Sequence, residues 1–273
     1  MAKEKLILSF SGGRTSAYMT QRMLSEYSHL YDMIVLFANT GMEHEKTLKF
    51  VHQCDEHFNF KTVWLEANVY QDERKGTGYK ITNYQDAVRG FNIFEDVIKK
   101  YGIFNASYLH CTREMKIAPI NSYVASIGWK GAKQAIGIRS DEIRRVRDND
   151  NILYPLVNLF PTDKIDVLDF WQNQLFDLEI EEFEGNCIGC HKKSMQKTMA
   201  QIKKYPDIFN EYAKIEDAYR HHKSNTKIGR VFHRSHIDMH QMILRANDYQ
   251  PLLSTTSQDG GVCGESCEAF DLV

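Results

Sequence analysis

Residues 6–19 read LILSFSGGRTSAYM, and within them Ser11-Gly12-Gly13-Arg14-Thr15-Ser16 has the make-up of an anion-binding loop. An apolar strand that feeds a glycine turn and then a helix leaves backbone N–H groups unpaired at the helix start, where the dipole adds partial positive charge. Gly12 and Gly13 allow a sharp bend and a close approach to a ligand with no Cβ in between. Ser11 and Ser16 can donate hydroxyls, and Arg14 adds fixed positive charge if it points inward. A phosphate, pyrophosphate or sulfate suits such a loop; an ordinary strand-to-helix turn with a serine N-cap is the plainer alternative. The spacing matches neither Gly-x-x-x-x-Gly-Lys-Ser/Thr nor Gly-x-Gly-x-x-Gly, which argues against a nucleoside-triphosphate P-loop and a dinucleotide fingerprint.

The cysteines form the second chemical group. Cys187-Ile188-Gly189-Cys190 can chelate one metal or enter one cluster, and Cys111 precedes an expected helix start, where a thiolate is favoured. Cys263 and Cys267 lie in GGVCGESC near the end of the chain. Cluster ligation takes four ligands, which Cys111, Cys187, Cys190 and one of Cys263 or Cys267 would supply to a 4Fe-4S cluster. The same four suit a tetrahedral zinc, and reduced or redox-active thiols are the third option. Cys54, in VHQCDEHF, reads as a core or surface thiol.

These residues need a scaffold. Apolar runs at 5–10, 32–38, 60–66 and 132–138 alternate with helical spacing at 15–27, 43–57 and 113–127. Strands separated by helices imply parallel pairing, hence an α/β, Rossmann-like three-layer domain with ligands at the carboxyl ends of its strands. Ser11-Gly12-Gly13, Asn39-Thr40-Gly41 and Gly137-Ile138-Arg139 all begin at such ends. Residues 67–110 read as a partly helical insertion that covers the site. Residues 1–190 are expected to form the nucleotide-binding domain, and 191–273 a helical, basic region with a cysteine-bearing tail.

Composition sets the outer limits. The 273 residues are 42% hydrophobic and 26% charged, as in a globular protein. The chain shows no 18-residue apolar run and no signal peptide, so a cytoplasmic protein without membrane contact is expected. Six cysteines in that setting favour metal, cluster or redox chemistry over disulfides. The net charge of −2 is uneven: residues 191–245 hold 12 Lys/Arg and 5 Asp/Glu, giving +7, and the rest hold 22 and 31, giving −9. Such a region suits a polyanion such as nucleic acid, or is simply a solvated helical face. His221, His222, His233 and His236 fall in it without metal-ligand spacing.

The loop at 11–16 resembles the SGGxxS loop of the PP-loop superfamily, which includes the ATP pyrophosphatases and the phosphoadenosine phosphosulfate (PAPS) reductase relatives. VLFANTGMEHEKTLKF (35–50), CTREMKIAP (111–119), GIRSDEIRR (137–145) and YPLVNLFPTDKIDVLDFW (154–171) resemble further motifs of the reductase-like branch, in the same order. The likeness spans residues 5 to about 195. It implies adenosine against Asn39–Thr40 and the Gly137–Arg139 turn, with pyrophosphate on the loop. The iron–sulfur members carry cysteines matching Cys111, Cys187 and Cys190, but with a tandem pair where this chain has His110-Cys111.

The expected function is an enzyme that binds ATP with Mg2+ and cuts it between the α and β phosphates to adenylate an acceptor, with sulfur transfer to a nucleic acid or nucleotide to follow. Arg139, Arg144 and Arg145 are candidates to offset phosphate charge. Glu43 and Asp141 are candidate magnesium ligands, or else helix N-terminal caps. The alternative is a PAPS or adenylyl-sulfate reductase in which Cys263 or Cys267 attacks sulfur and a thioredoxin-like partner supplies electrons; only Cys263-Gly264 of the family's catalytic tail survives here. A non-catalytic nucleotide-binding protein is the third reading.

Overall fold

In a computed structural model that describes residues 3–249 apart from 186 and 234–236, the first strand sits at the centre of the sheet. β1 (Glu4–Ser9) lies between β2 (Tyr31–Asn39) and β5 (Lys133–Ala135), parallel to both. Leu6, Ile7 and Leu8 are at most 1% exposed, so both faces of the strand are covered, which is why it reads as an unbroken apolar run. β3 (Val63–Val69) continues the parallel sheet beyond β2, and the short β6 (Ile152–Leu153) extends it beyond β5. β4 (Thr77–Thr82) closes one edge antiparallel to β3, giving the order β4-β3-β2-β1-β5-β6. The chain winds outward from β1 in one direction and later returns to its other side. The strand order therefore reverses at β1 and β5, the place where open α/β sheets bind ligands.

Helices α1 (Arg14–Glu26), α2 (Glu45–Phe58) and α3 (Asn92–Tyr101) follow β1, β2 and β4. A continuous helical stretch then runs as α4 (His110–Thr112), a π-helical turn (Arg113–Ile117) and α5 (Ala118–Ser126). Beyond β6 lie α6 (Pro155–Asn158), α7 (Lys164–Gln172), α8 (Met195–Lys204), α9 (Pro206–Tyr219) and α10 (Met239–Asp248). The insertion at 67–110 thus contains a strand as well as a helix. The tail with Cys263 and Cys267, and His236, lie outside the described residues.

Two cores flank the candidate site. One sheet face packs Leu6, Leu8 and Phe37, with Phe10 just past β1, against α1, α2 and α7, with α2 contributing Phe50. A second core joins α3 of the insertion to α8, α9 and α10 through Phe94, Phe104, Phe209, Tyr212 and Met242, and it includes Met42, Cys187 and Ile188. The packing of the helical region therefore begins before residue 190 and takes in the insertion. Non-helical residues at 221–233 interrupt the helical region expected from residue 191 onward.

Trp171 ties the first core to the start of α1. It is 1% exposed, its ring centroid lies 4.8 Å from that of Phe50, and its Nε1–H donates to the Arg14 carbonyl at 3.0 Å. Trp171→Ala removes a large buried ring and that donor together. Urea unfolding is expected to show a loss of roughly 3–5 kcal/mol.

Candidate functional site

The loop after β1 turns on Gly12, whose φ of +81° is left-handed. A Cβ there would stand 2.7 Å from Thr47 Cγ2, so α2 packs directly against a backbone that only glycine provides. Gly13, not a serine, is the N-cap of α1, and no side chain caps the first turn. Ser11 and Ser16 bond instead to each other, with their hydroxyls 3.0 Å apart, and the Ser16 hydroxyl donates to the Gly13 carbonyl at 3.0 Å. The helix start is thereby left with amides that no side chain caps, the arrangement that suits an oxyanion.

Neighbouring segments brace this helix start. Gly137, just past β5, comes so close that a Cβ would lie 3.2 Å from Ser16 Cα. Arg139, 7% exposed, reaches Thr15 Oγ1 with Nη1 at 3.3 Å and grips Asp141 with Nε and Nη2 at 2.9 and 3.1 Å. Burial works against the charge on Asp141, but the Arg139 bonds outweigh it and hold the carboxyl below its ordinary range. Arg14 turns to Asp177, with contacts of 2.7 and 3.0 Å, and to the Leu178 carbonyl. That half-exposed pair is worth about 1 kcal/mol at most, so it serves to place the 177–180 segment rather than to add stability. Arg144 is exposed, and Arg145 pairs with Glu142. Neither lines the loop cavity.

The cavity beside the loop is walled by Ser11, Gly12, Gly13, Glu43, Lys116 and Cys187. Glu43 accepts from the Thr40 amide at 2.9 Å, from the Thr40 hydroxyl at 2.8 Å and from the Cys187 thiol at 3.5 Å. Asn39 is fully buried and holds the β2 end through Glu66 and the Val88 carbonyl, while its Oδ1 accepts from the Gly41 amide. Asn39 and Gly41 therefore shape the loop, while buried Thr40 reaches the cysteine cleft and Glu43 the loop cavity. Asp141 does not line the cavity that holds Glu43. The N-cap of α2 is His44, not Glu43.

A second cleft meets the first at Lys116 and Cys187. It brings Cys111, Cys187, Cys190 and His191 together beneath Phe94, Phe104 and Phe232. The 187–190 loop docks on the β2 end through the Ile188 amide, which donates to the Met42 carbonyl at 2.8 Å. Gly189, at φ +73°, leaves room for the Tyr212 ring, whose hydroxyl donates to the Ile188 carbonyl at 2.7 Å. Three thiols on one cleft make a soft donor set, the kind that iron–sulfur clusters and zinc select. Among the described residues, however, no three His, Cys, Asp or Glu side chains are grouped so as to hold a metal ion. Cys54 is fully buried in the sheet core, where burial pushes its thiol up.

Lys116, within the 111–119 motif, lines both cavities, and its spacing from Cys111 gives no sign of this. Five positions separate it from Cys111, which on a regular α-helix would turn it well away. The π-helical turn holds more residues per turn and brings the two onto neighbouring faces, and such turns are frequent at functional sites.

Most of the basic helix residues in 191–219 are already engaged. Lys193 is buried and bonds to the Gly185 carbonyl, while Lys197, Lys204 and Lys214 pair with Glu182, Glu184 and Glu211. His233 is buried, and His222 bonds the Lys99 carbonyl.

A buried network locks the cysteine loop's approach to α2. Tyr205 donates its hydroxyl to Glu184, Lys204 lies 2.8 Å from the same carboxylate, and His44 Nε2 is 3.0 Å from the Tyr205 oxygen. His44 Nδ1 accepts from the Lys46 amide, so Nε2 carries the proton and donates to Tyr205. Burial would raise the Glu184 carboxyl, yet the Lys204 and Tyr205 bonds prevail and bring it down to about 2. A depressed carboxyl stabilises the fold above its unfolded value of 4.5, and that stability is lost as pH falls toward 2. Glu184→Gln is expected to be less stable than wild type at neutral pH. The gap between the two urea midpoints is expected to close as pH falls below about 4.5.

Comparison with known proteins agrees with this geometry. Among relatives, the uncharacterized nin region protein ORF290 of Escherichia phage lambda is 32% identical over 97% of this chain and 94% of its own length. Two uncharacterized proteins of Methanocaldococcus jannaschii are 23% and 22% identical over 80% and 76% of this chain, which spans only 42% and 46% of their lengths. No helix among the described residues is long and apolar enough to cross a membrane. Residues 5–155 match the model of the phosphoadenosine phosphosulfate reductase domain, and with the uncapped glycine loop at the carboxyl end of β1 this makes the chain a member of that family, a nucleotide-binding branch of the PP-loop superfamily.

Proposed function

We propose that this protein binds ATP on the 11–16 loop and cleaves it between the α and β phosphates to activate an acceptor oxygen. The observation that carries this reading is the uncapped start of α1, opened by the left-handed Gly12 onto a cavity that also holds Glu43 and Lys116. The acceptor oxygen attacks the α-phosphorus, the bond to the bridging oxygen breaks, and pyrophosphate leaves with its charge on the loop amides. Lys116 stands on the wall where that charge develops, and fixed positive groups there lower the barrier most. Glu43 is the carboxylate suited to share a Mg2+ with phosphate oxygens. Asp141 is already committed to Arg139, so Arg139 acts by bracing Thr15 and the loop rather than by meeting the phosphates.

A sulfur nucleophile then bonds to the activated centre of the adenylated acceptor, the bond from that centre to its adenylated oxygen breaks, and AMP leaves carrying the oxygen. Cys111, Cys187 and Cys190 are the residues that would hold a 4Fe-4S cluster or a zinc ion, with Cys263 or Cys267 as the fourth ligand. A cluster would carry the incoming sulfur, whereas zinc would clamp the loop. Independently of either, Cys187 lines both the thiol cleft and the loop cavity, which is the contact that sulfur delivery needs. The family match also supports a reductase reading, in which PAPS occupies the loop and a thiol attacks its sulfur.

With α-labelled ATP and candidate acceptors, labelled AMP and pyrophosphate are the expected products. Sulfite from PAPS with thioredoxin would replace this reading with the reductase one, and bound nucleotide with neither product would make the protein a binder only. Lys116→Met is expected to lower kcat roughly 100- to 1,000-fold with ATP still bound, measured in steady-state assays. Protein purified without oxygen is expected to show broad visible absorbance that Cys187→Ser abolishes; a colourless preparation containing zinc would assign the thiols to a structural site.

A further inference from the structure

Outside both cavities, a ladder of near-parallel rings and cations stands on the surface at the start of α4. The Arg230 guanidinium lies 3.8 Å from the Tyr108 ring centroid. Tyr108 is followed by His110 at 6.2 Å with the planes 25° apart, and His110 by Tyr101 at 5.3 Å and 26°. Arg113 and Lys100 each lie 5.3 Å from the Tyr101 ring, and Arg113 Nη2 is 3.0 Å from His110 Nδ1. His110 and Arg113 are three apart on one helical stretch and so share a face.

The ladder is partly open to solvent: Tyr108 is exposed, while Tyr101, His110 and Arg230 are half-buried. Tyr108 is 37% and Leu109 49% exposed, and Ala106 and Ser107 beside them are exposed as well. The charge on this face is positive. Glu114, which pairs with Arg113, is buried at 5% exposure, while Lys223 and Lys227 of the neighbouring connection are exposed.

We infer that Tyr101, Tyr108 and His110, framed by Arg113 and Arg230, form a stacking ledge for the bases of a single-stranded polynucleotide, with the cations meeting its phosphodiesters. Flat exposed rings interleaved with arginines are how proteins hold unpaired bases with little sequence preference. A peptide partner would not need near-parallel rings, and a duplex keeps its base faces stacked inside. The ledge adjoins the thiol cleft, because His110 precedes Cys111 in the chain and Cys111 lines that cleft. A strand held on the ledge would bring a neighbouring base to the cleft as the acceptor. That last step rests on the adenylation reading; the ledge itself does not.

The test uses the full-length protein and fluorescein-labelled oligouridylate and oligodeoxythymidylate in fluorescence anisotropy, with ATP binding followed separately by equilibrium dialysis. Wild type is expected to bind the single strands more tightly than a duplex of the same length. Tyr108→Ala is expected to weaken single-strand binding about tenfold, and Tyr108→Trp to restore it, with ATP affinity and thermal melting unchanged in both. The ratio of the two oligonucleotide affinities tells whether RNA or DNA is the natural strand. Equal affinity in wild type and Tyr108→Ala, or preference for duplex, would overturn the ledge. Oligonucleotide binding without ATP binding would instead overturn the nucleotide reading and leave the ledge standing.

Discussion

The structure turns on one constraint: the first turn of α1 has no side-chain cap and must still be held in place. Amides that no side chain caps at a helix start are costly in a protein interior unless water or a ligand satisfies them. Their position is therefore fixed from outside the helix. Arg139 bonds Thr15, Trp171 bonds the Arg14 carbonyl, and Gly137 allows β5 to touch Ser16. Each brace comes from a segment far along the chain. The motifs at 137–145 and 154–171 thus act on the loop at 11–16 from far along the chain.

Glu43 is the second junction. Its carboxylate gathers the Thr40 amide, the Thr40 hydroxyl and the Cys187 thiol, so the end of β2 and the cysteine loop are read by one group. The Glu184–Tyr205–His44 network repeats the connection one residue along, from the cysteine loop's approach to the cap of α2. The loop cavity and the thiol cleft consequently share walls at Cys187 and Lys116.

Charge in the C-terminal region illustrates how net charge misleads when partners are unknown. The +7 of residues 191–245 suggests one broad basic face. Folding places Glu182 and Glu184 against Lys197 and Lys204, because residues just before the cysteine loop pack on α8, and within α9 Glu211 pairs with Lys214. Arg230 of this region stands on Tyr108 beside α4, where Arg113 joins it from outside the region altogether.

The amino-acid sequence by itself determined the parallel sheet, the loop after β1 and the ordered family motifs. All three rest on local signals: unbroken apolar runs for doubly covered strands, and Gly12 where the backbone must turn left-handed. The antiparallel β4 escaped it, since TGYKIT is a half-exposed edge whose pattern carries little apolar signal. The two-residue β6 is too short to show a period. Only the tertiary structure decided which charged residues face the loop, because ion pairing joins residues such as Arg14 and Asp177 that are 163 positions apart. It also turned Lys116 toward Cys111 through a π-helical turn that residue spacing on a regular helix would not allow.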